Sequence, residues 1–144
     1  CCMLITRETD YAIRLSRGLS DGQRQTVATL AQNEQVPRQF AYKILKKLQN
    51  AGFIEILRGA EGGCMLAVDL DQVTLLDLMR ATGEDTAVIA CMRPDYTCKW
   101  CQHHGETTCR VHRHLSGIQQ EMERELSACS LKTIIFGNET SNSQ

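Results

Sequence analysis

Between residues 91 and 109 the sequence Cys91-Met-Arg-Pro-Asp-Tyr-Thr-Cys98-Lys-Trp-Cys101-Gln-His-His-Gly-Glu-Thr-Thr-Cys109 places four thiols in nineteen residues. A structural cysteine normally sits singly among apolar neighbours. These four lie beside Arg93, Asp95, Lys99, His103, His104 and Glu106, so burial alone explains them poorly. Thiolates are soft ligands that suit zinc, copper(I) and iron-sulfur clusters. Cys98-Lys-Trp-Cys101 has the two-residue gap of a zinc knuckle, and Cys91 and Cys109 complete a tetrahedral site of four sulfurs. The flanking gaps of six and seven residues are less typical of zinc. The same thiols can ligate a two-iron or four-iron cluster, or three of them can do so with a non-cysteine group completing the set. A third chemistry is a redox-switching disulfide between Cys98 and Cys101.

Those thiols must be carried by a chain of 144 residues, enough for one domain with a real core or for a small domain plus an oligomerisation element. No apolar run approaches the twenty or so residues of a membrane span, and the amino terminus lacks a basic-then-apolar signal pattern. The expectation is a cytoplasmic protein with no membrane partner, in which stable structural disulfides are not expected. Eight cysteines in a reducing compartment point to metal or redox chemistry. Cys1, Cys2, Cys64 and Cys129 lie outside the cluster and carry no assigned role, and Met3 looks like the natural start. The net charge of -1 hides an asymmetry: residues 3 to 68 sum to +3 and residues 69 to 144 to -4. A basic amino-terminal half and an acidic carboxy-terminal half fit nucleic-acid binding at one end and assembly or sensing at the other.

Helical spacing of Tyr11, Ala12, Leu15 and Leu19 predicts a first helix from Thr6 to about Leu19, ended by Asp21-Gly22. Thr26 caps a short second helix carrying Val27, Leu30 and Ala31, which stops at Asn33-Glu34-Gln35. Pro37 opens a third helix whose apolar stripe is Phe40, Ala41, Ile44, Leu45 and Leu48, up to Gly52. Short helix, tight polar turn and longer helix make a helix-turn-helix. Two strand-like runs follow, Phe53 to Arg58 and Cys64 to Val68, around a glycine-rich tip, so the whole reads as a winged helix. Thr74 and Asp77 form a capping box for a helix that stops near Gly83. After Cys109 the residues Val111, Leu115, Ile118, Met122, Leu126 and Cys129 repeat every three or four positions, the seam of a dimerisation helix. A short segment, Leu131 to Phe136, and a polar tail complete the chain.

With its apolar stripe inward, the third helix turns Arg38, Gln39, Tyr42, Lys43, Lys46 and Lys47 outward. Residues at the start of a recognition helix reach base edges, so Arg38 and Gln39, with Tyr42 beside them, are the candidates for base contacts, and Lys43 and Lys46 suit phosphates. Arg58 at the wing base can enter a minor groove or clamp a phosphate.

The start Met3-Leu-Ile-Thr-Arg-Glu-Thr9-Asp10-Tyr11-Ala12, the segment Val36-Pro37-Arg38-Gln39-Phe40 through Gly52, and the wing Arg58-Gly59-Ala-Glu-Gly62-Gly63-Cys-Met-Leu66-Ala67 resemble the Rrf2 family of bacterial winged-helix transcription factors. The resemblance runs from Met3 to about Ile135. It implies a homodimer that binds a palindromic operator in double-stranded DNA and carries one cluster per subunit in a loop between the winged helix and the dimerisation helix. In cluster-binding members three loop cysteines are joined by one further ligand. Cys91 and Cys109 match the outer cysteines. The family's spacing is five and five residues, so here either Cys98 or Cys101 is the central ligand, or all four cysteines ligate. His112, three residues after Cys109, matches the fourth ligand of the iron-sulfur assembly regulator, and Asp10 matches the acidic ligand that the nitric-oxide-sensing branch takes from its partner subunit.

The expectation is therefore a mainly α protein: a winged helix-turn-helix with a two-stranded wing and following helix over 3–83, a cysteine-rich cluster-binding loop over 84–109, a dimerisation helix and C-terminal segment over 110–136, and a disordered tail over 137–144. Its expected function is not enzymatic. It is a DNA-binding transcriptional regulator, read as a repressor, whose operator affinity is controlled by an iron-sulfur cluster on Cys91, Cys98, Cys101 and Cys109 that senses iron, redox or nitric-oxide status. The alternatives are a zinc-binding or thiol-disulfide-switched regulator of the same fold, and a redox or metal-handling protein that binds no DNA.

Overall fold

A computed structural model describes residues 5–59, 62–107 and 109–137. In chain order the elements are α1 (Arg7–Gly18), α2 (Val27–Asn33), α3 (Arg38–Asn50), β1 (Ile54–Leu57), β2 (Gly63–Leu66), α4 (Leu75–Ala81), a 3-10 turn (Ala90–Met92), α5 (Lys99–His104), α6 (Arg110–Ser127) and α7 (Leu131–Phe136). The mainly helical winged-helix architecture is the one expected. Cys1 and Cys2 and the tail beyond Gly137 lie outside the described residues.

Local chemistry sets the boundaries. The Thr26 side chain accepts from the Thr29 amide at the start of α2. At α4 the Thr74 hydroxyl and the Asp77 carboxylate cap each other's amides, so two orphan donors of the first turn are satisfied at once. Pro37 takes the N-cap position of α3 rather than the first helical one. At the other end Gly52 turns the chain out of α3 with φ +81°, a left-handed conformation that costs glycine little.

Leu15 of α1 and Leu19 just past its end, Leu30 of α2, Ile44, Leu45 and Leu48 of α3 and Leu78 of α4 are fully buried in one core. Each such side chain contributes roughly 1.5–3 kcal/mol by leaving water. The stripe predicted on α3 departs from this at one residue. Phe40 is 41% exposed and lies against Tyr11 of α1, ring centroids 5.8 Å apart, because it sits at the rim where α1 crosses the start of α3.

The wing is an antiparallel pair with Ile54 opposite Leu66 and Leu57 opposite Gly63. Gln25, ahead of α2, adds a third line of pairing, exchanging two backbone hydrogen bonds with Cys64 at 3.0 and 2.8 Å. This close approach accounts for Gly63: a Cβ there would meet the Gln25 carbonyl oxygen at 2.6 Å. Cys64 itself is fully buried, and burial pushes its thiol pKa up, so it behaves as an inert core residue.

The chain ends by returning to the core. The Ser130 side chain caps α7, fully buried Leu131 donates its amide to the Val73 carbonyl at 2.8 Å, and Lys132 donates to Leu70 at 3.1 Å. Helix α6 is thus held at its carboxy-terminal end against the segment that leads into α4.

Candidate metal centre and nucleic-acid interface

The segment from Glu84 to Cys109 is more structured than a loop. Asp85 accepts from the Ala87 amide at 3.1 Å and is ion-paired with Arg93, and the Ala87 amide first, then Arg93, holds its carboxyl below the usual range. Gln119 of α6 lies across the same limb. Its amide group donates to the Thr86 carbonyl at 2.9 Å and accepts from the Val88 amide at 2.8 Å, as an adjacent β-strand would. Cys91 follows three residues after Val88 in the 3-10 turn, so the limb that leads to it is tethered to α6 by a side chain on the polar face of that helix that sequence reasoning passed over.

Cys98 sits at the N-cap of α5 and Cys101 in the middle of that helix, which was not anticipated. Trp100 and His104, one turn apart, stack with ring centroids 4.2 Å apart, and Gly105 ends the helix in the left-handed conformation at φ +64°. Cys109 is the N-cap of α6. Although no full capping hydrogen bond forms at Cys98, the amides of Cys101 and Trp100 face its sulfur and lower its pKa. Desolvation, followed by the neighbouring Cys98 and Cys109 thiols, pushes Cys101 up to about 11. All six described cysteines are free thiols.

Cys91, Cys98, Cys101 and Cys109 line one cavity of about 760 Å³, together with His112 of α6. The structure therefore brings the four predicted ligands to one space, with His112, the histidine the resemblance singled out, on the same lining. They share the space without converging on a point: among the described residues no three His, Cys, Asp or Glu side chains are gathered closely enough to hold a metal ion. Asp10 is elsewhere in its own chain, on α1, paired with Arg14 at 3.2 Å.

At the opposite functional element, Arg38, Gln39, Tyr42, Lys43 and Lys46 are all exposed on α3, and Arg58 is exposed just past β1. The Arg38 guanidinium lies over the Tyr42 ring, 5.7 Å from its centroid, which orders it at the start of the helix. Lys47 differs from its predicted outward position. Its ammonium is drawn in to Glu8 at 2.6 Å and to the Thr82 carbonyl at 3.1 Å, because α1 and the end of α4 both reach the lower half of α3. Lys43 pairs with the other oxygen of Glu8 at 3.0 Å. Lys47, then Lys43, holds the Glu8 carboxyl below its ordinary range.

Residues 5–136 match the Rrf2 family, described as "Iron-dependent Transcriptional regulator". The chain belongs to the Rrf2 family. Among its relatives, protein aau3 of Rhizobium meliloti (strain 1021) is 32% identical over 91 residues, 62% of this chain and 59% of that protein. The HTH-type transcriptional regulator NsrR of Bacillus subtilis (strain 168) is 25% identical over 92 residues, 62% of this chain and 63% of the relative. The matches thus span about three-fifths of the length of these curated Rrf2 relatives. In structure the fold superposes on CymR (YrzC), the global cysteine regulator of B. subtilis, with a TM-score of 0.70 at 18% identity over 96% of this chain and 100% of the other. It also superposes on T. potens IscR, with a TM-score of 0.65 at 14% identity over 97% and 92% of the two chains. These two likenesses bear on the Rrf2 fold alone. Among the described residues no helix is long and apolar enough to cross a membrane.

Proposed function

We propose that this Rrf2 protein is a homodimeric DNA-binding regulator whose operator affinity is set by an iron-sulfur centre held by Cys91, Cys98, Cys101 and Cys109. The observation that carries this reading is the common cavity: four thiols on three separate elements face one space at the start of α6. The donor types fit the group: four soft sulfurs lining one cavity match the ligand count of an iron-sulfur cluster. His112, on the same wall, is the candidate for an exchangeable ligand. Such a centre supplies redox and iron-dependent chemistry when bound, and the chain's part is to hold the thiols and to feel their restraint.

DNA is read by the start of α3. Arg38 and Gln39 reach base edges, Lys46 and Arg58 hold phosphates, and the two-fold symmetry of the dimer matches a palindromic operator. The dimer is held by α6, which has no fully buried residue in one chain and leaves Val111 63% and Ile118 45% exposed. Repression follows where the operator overlaps a promoter.

A second reading, a thiol-disulfide switch, draws on Cys98 and Cys101 standing at the start of α5 and lining one cavity, where an external two-electron oxidant such as diamide would accept the two electrons and two protons released as the Sγ–Sγ bond forms. The two readings separate in one experiment. Sites selected from random duplex DNA are bound by anaerobically purified protein, then re-measured after iron chelation and, separately, after diamide oxidation. The cluster reading expects the chelator to change affinity. A response to diamide with none to chelation favours the thiol switch, and no binding to any duplex removes the DNA-binding reading.

A further inference from the structure

The carboxylate of Glu8 stands on the first turn of α1 and divides itself between two lysines of the helix that faces DNA. Its Oε1 takes Lys43 at 3.0 Å and its Oε2 takes Lys47 at 2.6 Å. The two lysines are unequal. The Lys47 side chain is 34% exposed and has a second partner in the Thr82 carbonyl, so it is anchored. The Lys43 side chain is 57% exposed, has among the described residues no second partner beside Glu8 such as the Thr82 carbonyl gives Lys47, and lies one turn from exposed Lys46 on α3.

We infer that Glu8 is an internal competitor for DNA phosphate: it occupies Lys43 in the free protein, is displaced from Lys43 by the phosphate backbone, and keeps Lys47 in place throughout. A carboxylate and a phosphodiester offer the same kind of anionic oxygen to an ammonium group, so one exchanges for the other without rebuilding the site. The exchange is easy at Lys43 because an exposed ion pair is worth little, and hard at Lys47 because a second hydrogen bond holds it. After exchange the Glu8 charge remains beside the backbone and repels it. The consequence is a lower sequence-independent attraction than the lysine count of α3 implies, which keeps binding weak enough for contacts made by Arg38 and Gln39, and for the state of the cysteine segment, to decide occupancy.

This inference rests on the DNA-binding reading above, and its test separates the two. Full-length wild type and Glu8→Gln are titrated by fluorescence anisotropy against a selected operator duplex and a scrambled duplex over a range of salt. Glu8→Gln should bind the scrambled duplex ~5- to 10-fold more tightly at low salt, with a salt slope steeper by about one per subunit, and Lys43→Gln on that background should cancel the gain. Unchanged or weaker binding by a folded Glu8→Gln, with an unchanged slope, overturns the inference while leaving the DNA-binding reading intact. Failure of the wild type to bind either duplex removes both. If Glu8→Gln does not fold, the wild type carries the test: the Glu8 carboxyl, followed by its ¹³C shift, should titrate at higher pH in the DNA complex than in the free protein, and an unchanged midpoint contradicts displacement.

Discussion

Lys47 of α3 donates to the main-chain carbonyl of Thr82 at 3.1 Å, tying α3 to the residue where α4 ends and the cysteine-bearing segment departs. Two residues later Glu84 accepts from the hydroxyls of Thr6, the N-cap of α1, and Thr9 on α1, the second of them a buried residue. The beginning of the cysteine-bearing segment is thus hydrogen-bonded both to α3 and to the start of α1. In the proposed regulator these hydrogen bonds would connect residues 84–93 to α3 without passing through the wing.

This makes neighbouring lysines unlike. Lys47→Ala should lower stability by about 1 kcal/mol in urea denaturation, the net worth of a partly exposed charged hydrogen bond. Lys46→Ala should leave the midpoint within ~0.5 kcal/mol and instead reduce the salt slope of duplex binding by about one. If Lys46→Ala destabilised the fold and Lys47→Ala did not, the assignment of anchor and phosphate contact would be reversed.

Glu8 gives the fold an acid sensitivity with a definite sign. Its folded pKa is depressed by Lys47 and Lys43 from an ordinary value of 4.5, so its stabilisation is complete above that value and is lost as pH falls through the lower, folded one. The stability gap between wild type and Glu8→Gln should therefore be full near neutrality and shrink progressively as pH falls below 4.5 in chemical denaturation. A gap that is the same at pH 3 and pH 7 would show that the ion pairs contribute nothing.

Gln119 is expected to act on Cys91 without touching it. Gln119→Leu removes both backbone hydrogen bonds to the Thr86–Val88 limb and should speed hydrogen exchange at the Val88 amide and weaken cobalt(II) or iron retention by ~10-fold or more, the usual size of a supporting-residue effect. Gln119→Glu, which keeps the acceptor for Val88, should recover part of the loss. Unchanged exchange and retention in Gln119→Leu would place the restraint on Cys91 elsewhere.

What the sequence disclosed was local. Thr26, the Thr74–Asp77 box and Gly52 mark helix ends because capping is decided within four residues, and the wing is marked by two short apolar runs around glycines. The candidate ligands were legible because four thiols set among charged and polar residues have no packing role to fill and are left with ligation or redox chemistry. Hidden from the sequence were relations across the chain: the fork from Glu8 to Lys43 and Lys47 spans more than thirty positions, and the Gln119 clamp spans about as many. Helix α5 was missed for a different reason. Lys99–His104 carries no apolar periodicity, and its order comes from the stacking of Trp100 on His104 and the left-handed stop at Gly105. Phe40 was misplaced because helical period alone does not tell a buried stripe from its rim.

The exposed Val111 and Ile118 of α6 predict how the proposed dimer would fail. Ile118→Glu should give monomer or aggregate by light scattering and lose operator binding, since one winged helix forfeits half of the phosphate and base contacts while every DNA-facing residue remains. A folded Ile118→Glu dimer with wild-type operator affinity would remove α6 from the assembly and from the sensing route.

The central claim is that Cys91, Cys98, Cys101 and Cys109 hold an iron-sulfur centre, and the most direct test is analysis of iron, zinc and acid-labile sulfide in protein purified without oxygen. The account predicts a brown protein with iron and sulfide in matching amounts, both lost in Cys91→Ala and in Cys109→Ala. A colourless protein with one zinc per chain and no sulfide, or with no metal at all, would contradict it.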